Sequence, residues 1–297
     1  MEKVGFIGLG VMGLPMSKRL INAGYDLHVY DVEKKPLEAL KNLGAHQENS
    51  PKDVASAADV IISMLPKPSI TFDVALGEDG IIHGIKPSAV YIDMSTSKPF
   101  TTREIAGRLA EKGVEMLDAP VSGGEKGAIE GSLTIMVGGA QDIFDRVLPL
   151  LQHLGKNVMH VGGIGAGHTI KVINNMLFTV NMAATSEALA LGKKAGVDPV
   201  MLRNVMNTSS GRSYALDIKV RDFVIPRNFE PGFTVELQNK DTDLALDLAK
   251  SLGVPVILGS LVRQLYQSLV VKGYAKKDTS IIATFFEDLL LCNEDSD

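Results

Sequence analysis

From the N-terminus to about Val161, short apolar runs alternate with amphipathic stretches. Six runs, at 4–7, 27–30, 60–64, 90–93, 114–117 and 133–137, read as strands, and their alternation with helical stretches predicts a parallel sheet covered by helices. Met12, Met16 and Leu20 recur every four residues after the first run, which sets them on one face of a helix closing near Gly24. Methionines at that spacing ordinarily pack in a core. Gly162-Gly163-Ile164-Gly165-Ala166-Gly167 ends the alternation, and beyond it the pattern is helical over 168–194, 200–206, 237–252, 258–270 and 279–291. In the fourth of these, Leu261, Leu265 and Leu269 give an apolar stripe for packing in a bundle. No repeat of solenoid period is present. The expected organisation is an α/β domain over 1–163 and an all-helical domain over 164–297 that opens with a long interdomain helix at about 168–194.

The chain has 297 residues, a length that favours two domains with a core in each. Thirty basic against 35 acidic residues give a net charge of −5, which offers no drive for binding nucleic acid. Cys292 is the single cysteine, so no intramolecular disulfide forms, as suits a reducing compartment. The start of the chain lacks the length and cleavage site of a signal peptide. The apolar stretch 170–184 is interrupted by Lys171, Asn174, Asn175 and Asn181, where a span would take roughly 20 mostly apolar residues. A cytoplasmic protein is expected, disordered only at its acidic tail, 293–297. The six histidines, at 28, 46, 83, 153, 160 and 168, form no short ligand pair. No metal is therefore expected in the chemistry, and a chelator should leave activity unchanged.

Gly8-Leu9-Gly10-Val11-Met12-Gly13 has G-x-G-x-x-G spacing between a predicted strand and a predicted helix. Gly8 then makes the tight turn, Gly10 admits a pyrophosphate and Gly13 lets helix and strand pack closely, while the helix N-terminus offers N–H groups to the phosphates. This context predicts a Rossmann-type dinucleotide-binding domain. Asp31 ends the second predicted strand, where a carboxylate accepts from ribose hydroxyls and repels a 2′-phosphate. NAD is favoured over NADP, with Lys34 and Lys35 close enough to offset Asp31 in part.

Between His168 and Ser186, Lys171 is the only charged side chain, and an ammonium in a mostly apolar helix is costly unless paired or used. Asn175 lies one turn on, on the same face. Together, Gly5-Phe6-Ile7-Gly8-Leu9-Gly10-Val11-Met12-Gly13, Asp118-Ala119-Pro120-Val121-Ser122-Gly123-Gly124, and Gly165-Ala166-Gly167 leading to Lys171 and Asn175 resemble the β-hydroxyacid dehydrogenase family over essentially the whole chain. Its members include 3-hydroxyisobutyrate dehydrogenase, tartronate semialdehyde reductase and 2-(hydroxymethyl)glutarate dehydrogenase.

The resemblance implies a role for each matching position. Lys171 would be the general acid/base, an exchange helped by burial, which drives an ammonium toward its neutral form. Asn175 would orient substrate and lysine, with Asn174 a weaker candidate. Ser122, Gly123 and Gly124 would hold the substrate carboxylate on a hydroxyl and backbone N–H groups. Val11 and Met12 of the glycine loop, Met64, Leu65 and Pro66, and Ser95 and Thr96 would line the cofactor site outside the strand ends. Phe233 would lie beside the nicotinamide and Lys240 near cofactor and substrate; ordinary core packing of Phe233, or pairing of Lys240 with Asp243, are the alternatives. Ser209-Ser210-Gly211-Arg212-Ser213-Tyr214 most resembles the 2-(hydroxymethyl)glutarate enzyme, which makes Arg212 a candidate for binding a second acidic group; the N-terminal half and Gly123-Gly124-Glu125 read equally like tartronate semialdehyde reductase, and simple solvation of Arg212 is the alternative.

The expected activity is NAD-dependent, reversible oxidation of a small anionic 3-hydroxy acid to its semialdehyde, in a homodimer or homotetramer. A sugar-phosphate decarboxylating dehydrogenase would need a longer helical domain and basic phosphate-binding positions. A catalytically silent NAD-sensing or partner-binding module is the reading from another class, and the presence of Lys171 argues against it.

Overall fold

The computed structural model describes residues 3–291; Cys292 and the acidic tail, 293–297, lie outside the described residues. The chain divides into two compact units, Met1–Lys171 and Val172–Asp297. The division falls inside the long helix that follows the glycine run. The Asp118 carboxylate accepts from Gly165 N–H (2.6 Å) and His168 N–H (2.7 Å) and so fastens the helix start to the sheet of the first unit.

The first unit runs β1 (Lys3–Ile7), α1 (Gly13–Asn22), β2 (Asp26–Tyr30), α2 (Lys34–Lys41), β3 (His46–Gln47), α3 (Pro51–Ala57), β4 (Val60–Ser63), α4 (Pro68–Leu76), β5 (Val90–Asp93), α5 (Pro99–Ala110), β6 (Glu115–Asp118), β7 (Val121–Ser122), α6 (Gly124–Glu130), β8 (Leu133–Gly138), α7 (Gln141–Leu151) and β9 (Gly155–Gly162). Strand order is β3-β2-β1-β4-β5-β6-β8-β7, with β9 beside β8. Pairing is parallel from β3 to β6, but β8 runs antiparallel to β6 and β7. The expected all-parallel sheet is therefore mixed at one side, because β6 and β7 run the same way and the chain reverses through α6 before β8. Three strands escape the apolar pattern. β3 and β7 have two residues each, and β9 exposes Lys156 and Asn157.

Alternate residues of the central strands enter two cores. Val60 and Ile62 join Phe6, Met16 and Leu20 on one face, while Ile61 joins Ile7, Tyr91 and Ile105 on the other. Burial on both faces explains why these strands read as unbroken apolar runs. The register sets Tyr30, Ile7, Ser63, Asp93 and Asp118 in one row across five strands, so the loops that follow them leave the sheet at the same level.

The long helix α8 (Ala166–Lys194) continues into the second unit and is followed by α9 (Pro199–Asn207), a π-helical segment (Ala215–Val224), α10 (Val235–Ser251), α11 (Ile257–Val271), a 3₁₀ turn (Thr279–Ile281) and α12 (Ile282–Leu291). Side chains cap α9 and α10: Asp198 accepts from Met201 N–H and Thr234 from Leu237 N–H. The π-helical segment has no counterpart in the sequence pattern, whose 3.6-residue period does not fit it. The stripe expected on α11 enters the core at Leu265 and Leu269 but not at Leu261. Leu261 is 58% exposed, and the packed face is Val262, Tyr266 and Leu269, because four-residue steps drift around a helix of 3.6 residues per turn.

Candidate active site

In the first unit, the glycine loop is shaped by steric exclusion. Gly8 has φ +93°, and a Cβ there would stand 2.3 Å from the Met64 carbonyl oxygen. A Cβ on Gly13 would stand 1.9 Å from the Gly8 carbonyl oxygen, so α1 can start where it does only with glycine. A Cβ on Gly10 would meet nothing within 4 Å, which leaves that side open to a close ligand. The first turn of α1 carries no acidic side chain and no side-chain cap, so its N–H groups and positive dipole suit an anion. Val11 is exposed, whereas Met12 packs against the core. These features fit a dinucleotide pyrophosphate.

Asp31 accepts from Leu9 N–H (2.5 Å) on one carboxylate oxygen and from Glu33 N–H (2.8 Å) on the other. Both bonds come from backbone, and each oxygen keeps a further lone pair for a hydroxyl donor. Lys34 and Lys35 are exposed at the start of α2.

Met64 and Leu65 are half-buried and Pro66 is exposed after β4. Leu65 N–H donates to Ser95 Oγ (2.9 Å), and Ser95 N–H donates to Asp93 Oδ1 (3.1 Å). The Ser95 hydroxyl is thus engaged in joining the β4 and β5 loops, and Thr96 beside it is half-buried. Beneath them, Ser63 Oγ donates to Asp93 Oδ1 (3.0 Å) and lies 2.7 Å from Tyr91 OH. Burial and then the Asp93 charge push the Tyr91 phenol up, so it stays protonated and acts as the donor to Ser63.

His168 is fully buried, with Nε2 3.0 Å from Ser95 O and Nδ1 2.7 Å from Thr102 Oγ1. Asp93 and Asp118 carboxylate oxygens stand 3.8 and 3.7 Å from its ring nitrogens. Lys171, 8% exposed, follows one turn later on α8. Ser122 ends β7, and Gly123 (φ +136°) and Gly124 (φ +64°) start α6 in backbone conformations that favour glycine.

In the second unit, Asn175 is buried, and its Nδ2 donates to Asp241 Oδ2 (2.6 Å). Its Oδ1 accepts from Asn174, which is exposed, so the amide orientation is fixed at both ends. Thr179 Oγ1 (2.7 Å) and Gln238 Nε2 (3.2 Å) both donate to the Asn175 carbonyl oxygen. Lys240 Nζ lies 3.2 Å from Asp241 Oδ1, while Asp243 is held by Arg263 at 2.7 and 3.0 Å. The Lys240–Asp243 pairing weighed above is thereby replaced. Half-buried Phe233 is held through its backbone: its N–H donates to Asp278 Oδ2 (2.9 Å) and its O accepts from Thr279 N–H (2.8 Å). Asp278, fully buried, also receives Lys219 Nζ at 2.6 Å. Arg212 is exposed in the loop after α9.

Two family models match in succession: the NAD-binding domain of 6-phosphogluconate dehydrogenase over residues 3–162, and the NAD-binding domain of NADP-dependent 3-hydroxyisobutyrate dehydrogenase over residues 165–286. The 2-(hydroxymethyl)glutarate dehydrogenase of Eubacterium barkeri is 38% identical across 97% of this chain and 95% of its own. Rat mitochondrial 3-hydroxyisobutyrate dehydrogenase is 41% identical across 96% and 87%. The chain belongs to the β-hydroxyacid dehydrogenase family. Among solved structures, the Mycobacterium tuberculosis 3-hydroxyisobutyrate dehydrogenase, determined with L-serine, is 32% identical with a TM-score of 0.90 across 96% of this chain and 99% of that one.

As a β-hydroxyacid dehydrogenase the protein is an oxidoreductase with an NAD(P)-binding domain, and among the described residues no helix is long and apolar enough to cross a membrane. The sequence reading missed the polar groups that hold this dehydrogenase's matched positions in place. Asp118 and Asp241 lie within quoted motifs, but their partners are fixed by tertiary contact. Asp93, at the end of an apolar run, is the signal that was open to use: a carboxylate closing a strand buried on both faces requires partners.

Proposed function

We propose that this β-hydroxyacid dehydrogenase reversibly oxidises a small anionic 3-hydroxy acid to its semialdehyde with NAD, Lys171 acting as general acid/base. The named compounds of its relatives, 2-(hydroxymethyl)glutarate, 3-hydroxyisobutyrate and L-serine, share a hydroxyl on the carbon β to a carboxylate. The observation that carries the reading is Lys171 itself, buried one turn past a helix start that Asp118 fastens to β6 and one turn before Asn175.

Bound NAD supplies a hydride acceptor. As the substrate C–H bond gives up hydride, Lys171 Nζ takes the hydroxyl proton and the carbonyl forms; in reduction Nζ returns the proton to the oxygen. Asn175, its amide fixed by Asn174 and Asp241, orients the substrate oxygen. Ser122 and the backbone N–H groups at Gly123 and Gly124 hold the carboxylate, and Arg212 receives a second one where the substrate has it. Gly8, Gly10, Val11, Met12, Gly13, Met64, Leu65, Pro66, Ser95, Thr96 and Lys240 hold the cofactor, with Phe233 beside the nicotinamide. NAD is preferred because Asp31 is held by two backbone donors and cannot readily turn away from a 2′-phosphate. The enzyme works in the cytoplasm as a homodimer or homotetramer, without nucleic acid or membrane as partner. Exposed Ile173 and Leu177 on α8 and Ile257, Leu258 and Leu261 on α11 support a second copy as the covering surface.

Initial rates with NADH and NADPH against the semialdehydes of these acids, and with NAD⁺ against L-serine, test the reading. Lys171→Ala should lower kcat by about 10²–10⁴-fold while NADH still binds, as judged by cofactor fluorescence. Undiminished turnover would remove Lys171 from its role. Asp31→Asn should raise the NADPH to NADH ratio of kcat/KM about tenfold or more, the equivalent of about 1.4 kcal/mol; faster NADPH use by the wild type would overturn the preference.

A further inference from the structure

Widely spaced in sequence, His28 and His46 are brought side by side by the parallel pairing of β2 with β3. Their rings stack with centroids 4.8 Å apart and planes 24° from parallel. Asp26, two residues before His28 on the same face of β2, places a carboxylate oxygen 3.0 Å from His46 Nε2. One ligand atom from each of the three residues lies within 4.8 Å of those of the other two.

Two observations point to a ligand here. His28 Nδ1 lies 2.8 Å from Glu48 Oε1, and because a carboxylate only accepts, the neutral ring carries its proton on Nδ1 and its lone pair on Nε2. His28 Nε2 is buried and has no hydrogen-bond partner, a situation that a bound ion relieves. Secondly, His28, His46, Glu48 and Lys41 line a groove of about 500 Å³ that supplies a path from solvent.

We propose that Asp26, His28 and His46 bind a divalent transition metal of the zinc class, with Glu48 orienting the His28 ring. Two imidazoles and one carboxylate suit zinc, nickel or copper rather than calcium or magnesium, which take oxygen ligands. A carboxylate behind a ligating imidazole is the usual means of fixing its tautomer. Bonds of ~2.0–2.1 Å in a tetrahedral site set ligand atoms about 3.4 Å apart, so the cluster contracts on binding. The side chains that must move are accessible ones, His46 at 57% and Asp26 at 38% exposure. The ion replaces the His46–Asp26 contact, takes water as a fourth ligand and joins the two-residue strand β3 to β2. It has no part in hydride transfer, so chelators leave turnover unchanged.

Untagged protein, stripped with a chelator, is titrated with Zn²⁺ by calorimetry, with Co²⁺ absorption reporting coordination geometry. The wild type should bind one Zn²⁺ per chain, and its melting temperature should rise with Zn²⁺. His46→Ala and Asp26→Ala, both at exposed positions, should each weaken binding at least tenfold and abolish the rise. Glu48→Gln should weaken it by about 10- to 100-fold. Equal affinity in wild type and His46→Ala, or no saturable binding by the wild type, would overturn the site. Undiminished affinity in Glu48→Gln would overturn the part given to Glu48.

Discussion

In the first unit, the row of strand ends from Tyr30 to Asp118 sets the backbone of the loops that follow, and the side chains near it are largely engaged with one another. Ser95 is bonded to Leu65, His168 to Ser95 and Thr102, and Asp118 to the start of α8. In the second unit the matched positions are held by side chains stacked at helical spacing. Asn175 and Thr179 on α8 meet Gln238, Asp241 and Thr242 on α10. The difference teaches where each unit is brittle. A backbone-built site fails when any atom is added, whereas a side-chain site fails when one hydrogen-bonding partner is changed.

The sharpest test of the first half of that contrast is a pair of glycine substitutions. Gly13→Ala forces a Cβ against the Gly8 carbonyl, a backbone atom that cannot swing aside, and should destabilise the protein by about 3 kcal/mol in denaturant unfolding. Gly10→Ala adds the same methyl where nothing lies within 4 Å. Its stability should stay within about 0.5 kcal/mol of the wild type, while KM for NADH rises about tenfold or more. Equal stability losses in the two variants would mean that the loop has no side held open for cofactor.

Asp118→Asn probes the point where a side chain fastens the backbone-built site. The amide retains one acceptor for the N–H groups of Gly165 and His168 but turns a donor toward the other, at a cost of about 1–3 kcal/mol. The pH dependence follows from burial, which holds the Asp118 carboxyl above its ordinary range, partly offset by His168 and the two backbone N–H groups. A carboxyl whose folded pKa exceeds its unfolded one binds its proton more tightly when folded, so its contribution declines as pH rises through the interval between the two. The stability gap between wild type and Asp118→Asn should therefore be widest below about pH 4, the unfolded value, and narrower at neutrality. A gap that widens with rising pH would reverse the sign assigned to burial.

The same contrast governs what was legible in the amino-acid sequence. The apolar runs 4–7, 60–64 and 90–93 are readable because strands buried on both faces admit few other residues, and 90–93 coincides with β5. Gly8 and Gly13 are readable because a tight backbone turn leaves its mark as missing side chains. Lys171 and Asn175 stand out as polar residues in an apolar helix. What was hidden depends on pairing across distance: β9 hydrogen-bonds while exposing Lys156 and Asn157, and His28 meets His46 only through the register of β2 and β3. The packed face of α11 was legible only in part for a local reason, since leucines at four-residue spacing wind from exposed Leu261 toward the side occupied by Val262, Tyr266 and Leu269.

The smallest effect belongs to a charge pair that sequence spacing made attractive. Asp243 lies three residues past Lys240, yet its carboxylate is held by Arg263, and Lys240 stands beside Asp241 instead. Asp243 is 50% exposed, so solvent screens the Arg263 pair and Asp243→Asn should cost no more than about 0.2–1 kcal/mol. KM and kcat for NADH and the semialdehyde should not change, because the groups around Asn175 keep all their bonds. Asp241→Asn provides the contrast: it leaves the Asn175 amide an acceptor but removes the charge beside Lys240, and should raise KM in steady-state kinetics. A KM increase in Asp243→Asn with none in Asp241→Asn would return Lys240 to the exposed face of α10 and break the side-chain half of the comparison.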